Sequence, residues 1–110
     1  MKSLGLIEVS SVTGAVDCLD LMCKAADVKF VTWERKLGGR LVTVIVEGQI
    51  SAVKAAVEAT QNAIIKPCAT AVIASPHSET QRMVLLSASR MLKKSKTKKE
   101  EEPEKNFQEV

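Results

Sequence analysis

The run Leu41-Val42-Thr43-Val44-Ile45-Val46-Glu47-Gly48 constrains the fold of this 110-residue chain more than any other segment. Val42 to Val46 are five consecutive β-branched residues. Side chains of this kind are stiff at χ1 and pack well on a pleated surface. The run does not alternate between apolar and polar, so it suits a strand inside a sheet with both faces covered. Directly before it stands Lys36-Leu37-Gly38-Gly39-Arg40. Two adjacent glycines leave the turn without Cβ atoms, free to take positive φ or to approach another chain closely. A bare backbone turn on a rigid strand is a place where a function can reside.

The remaining elements arrange themselves around this hairpin. Leu4, Leu6, Ile7 and Val9 predict a first strand, and Ser10 and Ser11 offer hydroxyls to cap a following helix. In that helix Val12, Ala15, Val16, Leu19, Met22, Cys23 and Ala26 recur at helical spacing as an inner face. Val28–Trp33 and Leu41–Val46 predict the second and third strands, joined through the glycine turn. A second helix is expected over Ser51–Ile65, with Val53, Ala56, Val57, Thr60, Ala63 and Ile64 inward and Pro67 as its stop. Thr70–Ala74 predicts a fourth strand, and Arg82–Met91 a small last helix. The order β-α-β-β-α-β predicts an α+β, ferredoxin-like fold: a four-stranded antiparallel sheet with two helices on one face, plus a short C-terminal helix.

From Lys93 the composition changes. Residues 93–110 carry six Lys and five Glu with only two large apolar residues, Phe107 and Val110. Such a segment buries too little surface to offset its ordering entropy, so a disordered, charged tail is expected there, beyond a single domain over residues 1–92. Lys-to-Glu pairs could support a transient helix up to Pro103.

Charge and composition exclude several functions. The net charge is +3, and residues 1–92 hold ten Lys or Arg against eight Asp or Glu. That balance, with 3% aromatic residues and no Tyr, argues against a nucleic-acid platform of stacked bases. No apolar run approaches membrane-spanning length. Cys18, Cys23 and Cys68 lack metal-ligand spacing and fit reduced thiols of a cytoplasmic protein. His77 is the one histidine, and no nucleophile, orienting group or oxyanion site accompanies it, so no catalytic residue, metal or cofactor is expected. The Gly38-Gly39 turn opens a strand and not a helix, so no helix N-terminus is aimed at an anion.

Five separated blocks together resemble the bacterial microcompartment shell family in its single-domain hexameric form. They are Leu4-Gly5-Leu6-Ile7-Glu8, Asp20-Leu21-Met22-Cys23-Lys24-Ala25-Ala26, Lys36 to Val46, Val53-Lys54-Ala55-Ala56, and Pro76-His77. The resemblance spans about residues 3–86 and implies a flat hexamer that tiles into the facets of a protein shell enclosing enzymes. It further implies that Lys36, Leu37, Gly38, Gly39 and Arg40 line a central pore for small metabolites or anions, with Gly39 at the narrowest point. Lys24, Pro76 and His77 are implied at the hexamer edge. The implied partners are the other five subunits, neighbouring hexamers, other shell proteins and enclosed enzymes, all within a cytoplasmic shell and away from membranes.

Three positions depart from the family pattern: Ser75 where Arg often precedes Pro-His, Glu47-Gly48-Gln49 where Arg-Gly-Asp is frequent, and Arg40 where Gly is frequent. Losing the guanidinium removes a bidentate donor at the edge. Six Arg40 side chains around an opening would focus positive potential and concentrate anions. The alternative on the same topology is a trimeric regulator that binds a small molecule, since fold alone does not assign function.

Overall fold

The computed structural model describes residues 2–35 and 40–101, the last nine by backbone alone. Along the chain, β1 (Ser3–Val9) leads into α1 (Val12–Ala25), then β2 (Lys29–Arg35), β3 (Val42–Gly48), α2 (Ile50–Ala59), a 3₁₀ turn (Thr60–Asn62), β4 (Ala69–Ile73) and α3 (Ser78–Glu101). The strands form one antiparallel sheet in the order β2-β3-β1-β4, which is the expected ferredoxin-like arrangement.

The β-branched strand is central, as its composition demands. In β3, Val42, Val44 and Val46 point to one face with Ile7 and Val9 of β1, and there they meet Ala15, Cys18 and Met22 of α1 and Val53, Ala56 and Val57 of α2. Ile45 points to the other face, where it packs with Leu4 of β1 and Val84 of α3. Each such fully buried aliphatic side chain contributes about 1.5–3 kcal/mol relative to exposure. Gly5 lets α2 lie close: a Cβ there would stand 2.9 Å from Val53 Cγ1 and 3.0 Å from Val57 Cγ2.

Ser11 caps α1, its hydroxyl accepting from the Gly14 amide at 2.9 Å. The helix is rotated from the expected phase. Gly14, Ala15, Cys18 and Met22 are buried, whereas Val16 is 59% exposed and Cys23 is exposed. A Cβ at Gly14 would lie 2.9 Å from Val9 Cγ2 and 3.2 Å from Ile65 Cβ, so the glycine side is the one that can approach the body. The second helix ends sooner than expected. Buried Thr60 returns its hydroxyl to the Val57 carbonyl at 2.6 Å, the helix tightens into the 3₁₀ turn, and Ile64 is left 93% exposed.

The last helix is longer than expected, beginning at Ser78 and running to Glu101, two residues before Pro103. It lies on the face opposite α1 and α2, against β2. A small polar cluster ties it down. Ser87 Oγ lies 3.1 Å from the hydroxyl of fully buried Thr32 and donates to Glu34 Oε1.

Candidate functional site

The turn expected to line a pore is held by the two strands at the β2 edge of the sheet. Arg35 pairs with Val42 at the end of the β2–β3 ladder. Arg40 follows the turn and is exposed, and Leu41 is 38% exposed. Lys36, Leu37, Gly38 and Gly39 lie outside the described residues.

Lys24 sits in the last turn of α1, where a cation complements the negative end of the helix dipole. Its Nζ pairs with Asp20 Oδ2 at 2.8 Å, one helical turn back, and both side chains are largely exposed. The hydrogen bond that Nζ donates to Asp20, followed by the charge of the same carboxylate, raises the Lys24 pKa above its ordinary range.

Pro76 and His77 start α3 from the end of β4. Pro76 is buried, and its carbonyl accepts from Gln81 Nε2 at 2.9 Å. His77 is exposed and caps the helix: Nδ1 accepts from the Glu79 amide at 3.1 Å, and the His77 carbonyl accepts from the Gln81 amide at 3.0 Å. Helix capping is therefore a local role for His77, one that the spacing of a lone histidine after proline did not reveal. Lys24 is on α1 and His77 lies just before α3, and among the described residues α1 and α3 make no close backbone contact.

The thiols are separate. Cys18 is buried, and desolvation, helped by the charge of Asp17, pushes its thiol up. Cys68 is exposed and tied to Glu8: its amide donates to the Glu8 carbonyl at 2.8 Å and its Sγ lies 3.2 Å from the same oxygen. Among the described residues no group of three potential ligands could hold a metal ion, and no helix is long and apolar enough to cross a membrane.

A model of the BMC domain matches residues 3–76, which is β1 through the segment before α3. The chain belongs to the bacterial microcompartment shell protein family. The microcompartment shell protein PduA of Citrobacter freundii is 38% identical over 86 residues, covering 76% of this chain and 91% of PduA. The carboxysome shell protein CsoS1C of Hydrogenovibrio crunogenus is 38% identical over 91 residues, covering 79% and 88%. A crystal structure of a microcompartment protein from Desulfitobacterium hafniense shares the fold with a TM-score of 0.66 at 24% identity. That match covers 79% of this chain, which spans about half of the solved one (48%). Lys24, His77 and Arg40 are exposed on the protomer.

Proposed function

We propose that this protein assembles as a cyclic hexamer that tiles into the facets of a cytoplasmic microcompartment shell. The observation that carries this reading is membership of a family whose matched relatives, PduA and CsoS1C, are shell proteins covered over about nine-tenths of their length. The role is structural, not catalytic. The alternative of a trimeric regulator has no comparable support.

The protomer's surface fits this role. Val12 and Val16 on the outer side of α1, Phe30 on β2, Leu41 after the turn and Ile64 after α2 are all exposed in the single chain. Apolar groups spread over several elements are what a ring of copies would cover. The two sheet edges also differ. β2 carries Lys29, Glu34 and Arg35 and an irregularity between Phe30 and Thr32, devices that block edge pairing, whereas β4 is the uncharged Ala-Thr-Ala-Val-Ile.

Within the ring, Lys36 to Arg40 from six copies would line a central opening for small metabolites. Gly39 forms the throat, and Arg40 makes its mouth positive, so small anions are favoured over bulky cofactors. Lys24, Pro76 and His77 stand at the outer edge and meet neighbouring hexamers and other shell proteins. Sedimentation of the purified chain tests the assembly: six copies of the 11.9 kDa chain are expected, and a monomer or trimer across the micromolar range would overturn the reading.

A further inference from the structure

The face of α3 that carries Val84 and Ser87 docks on the sheet. A neighbouring flank of the same helix carries Glu79, Met83, Leu86 and Arg90, at successive spacings of four, three and four residues. That spacing sets all four on one line of the helix, the pattern by which two helices pair through a narrow seam. The protomer leaves this line open. Met83 is 68% and Leu86 47% exposed, and Glu79 and Arg90 are exposed beside them.

The stripe is complementary to its own reverse. It begins with an acid, ends with a base and holds two apolar residues between them. Laid antiparallel against a second copy of itself, Glu79 faces Arg90 and Met83 faces Leu86, and both pairs centre on the same point of the helix. A two-fold contact requires this reciprocity, with residue i meeting j where j meets i. A parallel pairing would instead set Glu79 on Glu79 and Arg90 on Arg90. Within its own helix Glu79 accepts from Arg82 Nε and Nη2 through one oxygen, Oε2, at 3.1 and 3.0 Å. Its other oxygen can accept from the guanidinium of a second chain.

We propose that α3 pairs antiparallel with α3 of a second copy of this chain, across a two-fold axis between Met83 and Leu86. Exposed ion pairs add little, about 0–1 kcal/mol each, so the two apolar pairs hold the contact and the charges set its direction. One such pair is weak. On the hexamer reading above, neighbours in a ring are related by a six-fold and not a two-fold rotation, and opposite subunits stand across the pore. The helix pair then joins subunits of different rings, where repetition around each ring strengthens it.

Disulfide trapping tests the pairing. In a Cys23→Ser, Cys68→Ser background, Glu79→Cys and Arg90→Cys are made singly and together. Positions 79 and 90 of one helix are about 16 Å apart, eleven residues at 1.5 Å each, so they cannot bridge within a chain. In the antiparallel pair position 79 of one chain lies opposite 90 of the other, and like positions are again about 16 Å apart. A disulfide needs a Cα separation of roughly 4.4–6.8 Å, so the double variant should cross-link between chains at least about tenfold faster than either single one. Equal rates, faster linking in a single variant, or no link in the double variant would overturn the pairing. Sedimentation under reducing conditions keeps the two readings apart. Rings are expected from all three variants, and their absence from these and the parent chain would refute the hexamer while the helix pair stands or falls on its cross-link.

Discussion

Gly5→Ala is the sharpest probe of how α2 is seated on the sheet. The new methyl would meet Val53 Cγ1 at 2.9 Å, Val57 Cγ2 at 3.0 Å and Val46 Cγ2 at 3.2 Å, all closer than ordinary contact. Val53 is fully buried and Val46 lies in the same core, so neither can swing away. Overpacking of this kind costs about 1–3 kcal/mol. For a domain of this size, about 1 kcal/mol moves the melting temperature by roughly 4–8 °C, so a loss of about 5–20 °C is expected at fixed protomer concentration. The double variant Gly5→Ala, Val53→Ala separates strain from other causes. Truncating Val53 alone leaves a cavity, but together with the added methyl it relieves the clash, so the pair should cost about 1 kcal/mol less than the sum. Calorimetry on the four proteins decides it. Unchanged stability of Gly5→Ala, or strict additivity, would refute the packing of α2 against β1 at this distance.

Ser87→Ala should cost about 1 kcal/mol in denaturant unfolding, because it removes the group that ties buried Thr32 and Glu34 to α3. Cys18 supplies a pH dependence. Its folded thiol is raised, so the native state keeps a proton that the unfolded chain gives up. That stability is fully present below the unfolded value, about 8.5, and is lost as pH rises through the folded value. An alkaline stability titration should therefore lose that part of its slope in Cys18→Ala. Gly39→Leu should slow permeation of small anions through shells of this protein while leaving sedimentation unchanged. Lys24→Asp should prevent sheet formation but leave single rings, as seen by light scattering and sedimentation together.

Much of the fold is legible in the residues, because β3 is so uniformly β-branched that only a central position suits it. The Ser11 cap follows from equally local chemistry, and the order of elements points to the topology. The phase of α1 was not legible. The helix carries Val12, Val16 and Cys23 on one flank and Ala15, Cys18 and Met22 on another, so hydrophobicity alone admits two rotations. The close approach at Gly14 decides between them, and that is a tertiary fact. The extent of α3 was hidden for the opposite reason, since lysines and glutamates resemble a solvated tail even where the backbone is helical. The Thr32–Ser87–Glu34 cluster joins residues more than fifty apart and leaves no local pattern. For the site, the sequence blocks point to a turn and to edge residues, but a pore and an edge are properties of several copies, which a single chain does not display.

The most direct measurement is a cryo-electron microscopy map of sheets formed by the purified full-length protein. The account predicts six-fold rings whose axis passes through the turn at Lys36–Arg40, with Lys24 and His77 at contacts between rings. A three-fold particle, or a six-fold ring with that turn at its periphery, would contradict it.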